Sequence, residues 1–159
     1  MTVKASKVIA ALQGKTLATA ESCTGGMIGA ALTSVSGASA VYRGGIISYV
    51  NDIKEQVLGV DRQMLEDLGP VSAPVAQAMA EGARRVVGAQ IAVSVTGLAG
   101  PGGDAYGNEV GTVYIGYSDP CRTLSRKFLF QGDREAVRRQ AADAALDMIL
   151  EFASTLEAE

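Results

Sequence analysis

Apolar positions recur at two periods along this chain, and each change of period marks a change of element. Val3, Val8, Ile9 and Leu12 stand at helical spacing over residues 3–13, with Gly14 as a stop. Thr16 to Ala20 is short, apolar and partly β-branched, the pattern of a buried strand. Glu21 to Gly26 is a polar turn, and Met27 to Val35 follows as a small-residue helix with Thr24 as candidate N-cap. A loop over Ser36 to Ser39 leads to a strand expected at Gly45 to Val50. Two short helices are expected next, Asn51 to Leu58 and Arg62 to Leu68, closed by Gly59 and by Gly69-Pro70. Ser72 to Val87 carries every mark of a helix, with Ser72 as cap, Pro74 in the first turn and Gly88 beyond the end.

The remaining chain reads as a strand, a hairpin and a closing helix. Ile91 to Thr96 is nearly all apolar or β-branched, and Gly97 to Asn108 is a Gly-rich loop. Val110 to Ser118 and Arg122 to Phe130 form a hairpin across Asp119-Pro120. Gly132 and Asp133 open a long amphipathic helix to about Leu156. Alternation followed by a hairpin predicts an α/β fold with a mostly parallel mixed sheet of about five strands, one of them antiparallel, and helices on both faces. At 159 residues, with no repeat or linker, the chain reads as a single domain over 1–159.

Composition narrows the chemistry. The chain has no histidine, which removes the commonest general base and the commonest metal ligand. No cluster with zinc spacing is present, and neither a metal nor an organic cofactor is expected. The net charge of −3, with no basic stripe, argues against nucleic acid as the main partner. No apolar run approaches the length of a membrane span and no secretion signal stands at the N-terminus, so a soluble, cytoplasmic protein is expected. Cys23 and Cys121 are too few for a disulfide framework, and both read first as small buried hydrophobes.

Chemistry in such a sheet gathers beyond the carboxyl ends of parallel strands. Three loops qualify: Glu21-Ser22-Cys23-Thr24-Gly25-Gly26, Tyr49 to Lys54, and Gly97-Leu98-Ala99-Gly100-Pro101-Gly102-Gly103. Ser22 between a strand and a helix start is either a nucleophile or, like Thr24, a cap. Backbone N–H groups of Gly25 and Gly26 are candidates to hold an oxyanion. Cys23 is a rival nucleophile, and alternation near a strand implies that only one of Ser22 and Cys23 faces the site. Without histidine the base must be Lys, Tyr or a carboxylate, and Lys54 qualifies if burial lowers its pKa, with Tyr49 as a proton relay. The glycines of the third loop allow backbone to approach a ligand, although the loop is neither a phosphate-binding P-loop nor a dinucleotide fingerprint. Arg134 and Arg138 share a helix face at i, i+4 and are either an anion site or a solvated, paired surface.

These segments together, in this order, resemble the CinA C-terminal domain family over essentially the whole chain. Ala20-Glu21-Ser22-Cys23-Thr24-Gly25-Gly26 is the most specific. It is joined by Gly45 to Asn51 with Lys54, Val71-Ser72, Thr96 to Pro101, Val110 to Val113, and Gly132-Asp133-Arg134 with Val137-Arg138. Stand-alone members of that family are nicotinamide-nucleotide amidases. The resemblance implies a three-layer α/β/α sandwich and hydrolysis of the carboxamide of nicotinamide mononucleotide to nicotinic acid mononucleotide and ammonia, in pyridine nucleotide salvage. It implies Ser22 as nucleophile with Tyr49 and Lys54 as partners. The expected substrate-binding residues are Thr24, Gly25, Gly26, Gly97, Ala99, Gly100, Arg134 and Arg138. Val50 departs from a common serine and Leu98 from a common isoleucine. Longer members carry a further N-terminal domain, whose activity is not expected here. The expected partner is a small nucleotide, and small-residue helices suit a homo-oligomer. A non-catalytic nucleotide-binding module, or a competence- or damage-related accessory protein, are the other readings of the same residues.

Overall fold

The computed structural model describes residues 1–156; the last three residues of the expected domain, 157–159, lie outside the described residues. The elements in chain order are α1 (Thr2–Ala11), β1 (Leu17–Glu21), α2 (Met27–Thr33), a 3-10 turn (Ala38–Ala40), β2 (Tyr42–Ile47), α3 (Asn51–Gln56), α4 (Arg62–Leu68), α5 (Ala73–Val87), β3 (Ile91–Gly97), β4 (Thr112–Ser118), β5 (Thr123–Leu129) and α6 (Arg134–Ala153).

The sheet order is β2-β1-β3-β4-β5. β1 pairs parallel with β2 and β3, whereas β4 runs antiparallel to both β3 and β5. One antiparallel strand therefore stands among four of like direction, as the alternating pattern predicts. Strands β1 and β3 have both faces covered, and even their polar residues, Thr19, Glu21, Ser94 and Thr96, are buried. One core cluster packs Val8, Leu12, Leu32, Val137, Leu146 and Ile149 of α1, α2 and α6 against Leu17, Ile91, Val93 and Ile115. The other packs Val75, Met79 and Ala83 of α5, with Leu58 and Leu65, against Ala18, Ala20 and Ala92. The result is a three-layer α/β/α sandwich.

Two expectations about elements need correction. The second strand lies three residues earlier than expected, at Tyr42–Ile47 rather than Gly45 to Val50. Gly44 and Gly45 hide it from propensity, yet a side chain at 45 would run into the Thr19 hydroxyl of β1. Thr24 does not cap α2. Its hydroxyl donates to Glu21 Oε1 at 2.8 Å, and the Glu21 carboxylate itself accepts the N–H groups of Ile28 (2.8 Å) and Gly29 (3.0 Å). A buried carboxylate thus satisfies the helix start, where its charge also meets the positive end of the dipole. Cys121 is a third correction: it is exposed, because it follows Pro120 in the β4–β5 turn, while Cys23 is buried.

Candidate active site

Three loops leave the carboxyl ends of β1, β2 and β3 side by side, and they enclose a cavity of about 310 Å³. Its lining includes Ser22, Cys23, Tyr49, Lys54, Thr96, Gly97, Ala99, Gly100 and Arg134. The loop that carries Ser22 is tied to the sheet from both sides. The Ser22 N–H donates to the Val95 carbonyl of β3 at 3.0 Å, and the Ser48 N–H reaches the Glu21 carbonyl at 2.9 Å. Ser22 is therefore fixed in the gap between two parallel strands, 7% exposed, with its hydroxyl towards the cavity.

Lys54 is the decisive side chain. It is the one buried residue of α3, 1% exposed. Its Nζ donates to Ser22 Oγ at 3.1 Å, to the Ser48 carbonyl at 2.7 Å and to the Tyr49 carbonyl at 3.3 Å. No carboxylate is among these partners. Burial disfavours the ammonium and lowers the Lys54 pKa from 10.5 to about 8. The neutral amine has two N–H bonds, enough for two carbonyls. Its lone pair is then left for the third direction, towards Ser22 Oγ. The surroundings thus favour a neutral, oriented amine beside a serine hydroxyl.

Cys23 also lines the cavity, contrary to the expectation that only one of the adjacent pair would. β1 ends at Glu21, so the two-residue alternation does not extend into the turn. Burial pushes the Cys23 thiol up to about 11, which keeps it protonated and weakly nucleophilic at neutral pH.

Tyr49 enters the site in an unexpected way. Its carbonyl faces Ser22 and Lys54, but the residue is 57% exposed and its phenol accepts from Arg134 Nη2 at 3.0 Å. In this conformation the phenol relays no proton between Ser22 and Lys54, which contact each other directly. Arg134 also donates to the Gly100 carbonyl at 2.6 Å, so one guanidinium joins the second and third loops at the cavity mouth. Arg134 projects from the first turn of α6, whose start is capped by the Asp133 carboxylate accepting Ala136 N–H.

The pair at i, i+4 divides its work. Arg138 is turned away from the cavity: its Nε donates to the Cys23 carbonyl at 2.9 Å and its Nη2 reaches the Thr24 carbonyl at 3.4 Å. It clamps the loop that carries Ser22, and nothing places it against a ligand. Thr24, Gly25 and Gly26 are likewise outside the lining, with the Gly25 N–H donating to the Ser22 carbonyl. Gly25 and Gly26 serve the backbone: both have positive φ, 59° and 111°, which turns the chain sharply from β1 into α2. Gly97, Ala99 and Gly100 do line the cavity. Pro70 and Val71, absent from the sequence reading as site residues, close its far wall. Their signals were the Gly69-Pro70 break before α5 and the Val71-Ser72 pair within the family resemblance. Among the described residues no Asp or Glu lines the cavity, and no cluster of three His, Cys, Asp or Glu could hold a metal ion.

A mixed-sheet α/β/α domain with a serine–lysine pair at the strand ends defines the class of protein. The sequence model of the CinA C-terminal domain matches residues 2–153, and the chain belongs to that family. A CinA-like protein of Anaeromyxobacter dehalogenans is 50% identical over 139 residues, covering 87% of this chain and 34% of that protein. One of Geobacter sulfurreducens is 46% identical over 137 residues, covering 86% and 33%. The chain thus spans about a third of the length of the relatives it matches. Among solved structures, the competence damage-inducible protein A of Klebsiella pneumoniae superposes with a TM-score of 0.93 at 33% identity, over 98% of this chain and 99% of that one. A competence/damage inducible protein of Agrobacterium tumefaciens superposes at 0.91 with 36% identity, over 94% and 93%. No helix among the described residues is long and apolar enough to cross a membrane.

Proposed function

We propose that the chain is an amidohydrolase acting on the carboxamide of nicotinamide mononucleotide, with Ser22 as nucleophile and Lys54 as its base. The observation that carries this reading is the 3.1 Å contact between Ser22 Oγ and the Nζ of a buried Lys54, whose pKa burial lowers to about 8, in a ligand-sized cavity. Lys54 takes the Ser22 proton as Oγ attacks the amide carbon, and a tetrahedral oxyanion forms. Among the described residues the Cys23 N–H donates to no backbone or side-chain oxygen, which leaves it available to the oxyanion. The protonated Lys54 then passes its proton to the leaving nitrogen, and ammonia departs. Water, deprotonated by the same amine, hydrolyses the acyl-enzyme and restores Ser22. The cationic pyridinium ring draws electrons from the carboxamide and makes its carbon more electrophilic. Arg134 and the Gly97–Gly100 backbone hold the phosphate end.

The test is ammonia release from nicotinamide mononucleotide by the purified protein, alone and as Ser22→Ala. Wild-type turnover is expected, with a fall of at least about a thousandfold in the variant. Full turnover by Ser22→Ala removes the serine from its role. Thermal stabilisation by the nucleotide with no ammonia from either protein points instead to a binding module.

A further inference from the structure

Arg134 is committed to the protein itself. One Nη donates to the Gly100 carbonyl and the other to the Tyr49 phenol, so the guanidinium straps the cavity mouth and holds the phenol outside. The cavity lining contains no carboxylate, and its second basic group, Lys54, loses its charge as pH rises through about 8. Arg134 is thus the one permanent charge in the lining. An anionic group entering the cavity is drawn to it and, where it engages Nη2, competes with the neutral phenol there. A charged acceptor wins that competition, because charge-assisted hydrogen bonds are about twice as strong as neutral ones.

We infer that Arg134 and Tyr49 form an anion-released latch: the anionic end of the substrate captures Arg134, frees the Tyr49 phenol, and lets it swing inwards over the reacting amide. The inference rests on the amidase reading for its catalytic consequence but not for its structural one. The Tyr49 carbonyl is already 3.3 Å from Lys54 Nζ and 3.5 Å from Ser22 Oγ, so the residue is anchored at the reacting centre. With its backbone held, the latch asks only for rotation about the Tyr49 side-chain bonds. The latch makes the remote anion act on the chemical step as well as on binding, because it completes the site only when the anion is present. Arg134 is in this sense a positioning and specificity-determining residue.

The experiment compares nicotinamide mononucleotide with nicotinamide riboside, which is the same amide without the phosphate, and adds inorganic phosphate to the riboside reaction. For the wild type, kcat should favour the mononucleotide by at least about tenfold, and phosphate in trans should raise riboside kcat severalfold. In Arg134→Ala the kcat ratio should collapse to within about twofold and phosphate should do nothing, with Arg134→Lys intermediate. Discrimination confined to KM, or undiminished kcat discrimination in Arg134→Ala, overturns the latch while leaving the amidase reading intact. A second readout needs no turnover. Inorganic phosphate or the mononucleotide should produce an ultraviolet difference band from a tyrosine moving between environments, present in wild type and lost in Tyr49→Phe and in Arg134→Ala. If no ammonia is released but this band appears, the amidase reading fails and the latch stands. If the ligand binds and the band is missing or survives in Tyr49→Phe, the latch fails.

Discussion

A lysine ammonium sealed from water and given two carbonyls but no carboxylate is held in an unfavourable state. Lowering its pKa from 10.5 to about 8 corresponds to about 3 kcal/mol against the folded protein while the group is charged. The penalty is complete below pH 8, where folded and unfolded chains are both protonated. It fades as pH rises from 8 towards 10.5, because only the unfolded chain still binds the proton there. Lys54→Met should therefore melt no lower than wild type at pH 7, its stability advantage should shrink by pH 10, and the proposed amide hydrolysis should fall steeply. Thermal melts across that range check the sign. The same group sets the activity profile. If neutral Lys54 is the base, kcat/KM should climb with pH and level off above about 8, and this limb should be missing in any residual activity of Lys54→Met. A flat profile from pH 6 to 9 contradicts a lysine base.

At the scale of elements, the site is assembled by tethers from outside the cavity. Glu21 ends β1 and starts α2, with four donors around one carboxylate: Thr19 and Thr24 hydroxyls and the N–H groups of Ile28 and Gly29. Glu21→Gln leaves one amide oxygen to accept and turns an NH₂ towards the other donors. A loss of about 1–3 kcal/mol in urea denaturation is expected. Helix α6 acts through its first two turns, with Arg134 on the second and third loops and Arg138 on the first. Arg138→Met keeps the aliphatic stem but releases the Cys23 carbonyl. Turnover should drop by about tenfold or more through kcat, with KM nearly unchanged, because Arg138 lies outside the cavity. A rise in KM alone would reassign Arg138 to substrate contact.

For the molecule as a whole, the distance between layers is set by glycines as much as by apolar bulk. A side chain at Gly116 of β4 would run into the Ala76 carbonyl of α5, and one at Gly82 of α5 would strike the Leu58 carbonyl. Helix α5 therefore lies with its backbone close against the sheet and against the segment after α3 that carries Lys54. Gly116→Ala should destabilise by about 1–3 kcal/mol. That corresponds to about 3–10 °C in melting temperature for a chain of this size, measured by calorimetry. Buried polar groups hold the same interface: the Ser94 hydroxyl donates to the Ala76 carbonyl and the Thr96 hydroxyl to the Pro70 carbonyl at 2.7 Å.

Much of this architecture is written in local pattern. The runs at 17–21 and 91–97 read as buried strands because they are short, mostly apolar or β-branched, and bounded by turn residues. Pro74 and Gly88 bracket α5, and Asp119-Pro120 turns the hairpin, since each residue's own backbone preferences act within a few positions. Ser22 and Lys54 were legible as candidates because a histidine-free chain leaves few bases. Tertiary structure alone decided how these groups meet. It set Lys54 against Ser22, turned Arg138 to a structural clamp and Arg134 to the cavity, and parked the Tyr49 phenol at the mouth. It also made Glu21, unremarked in sequence, the cap of α2. Pairing, burial and pKa depend on neighbours that lie tens of residues away in sequence, and spacing along a chain carries no record of which loops the sheet will bring side by side.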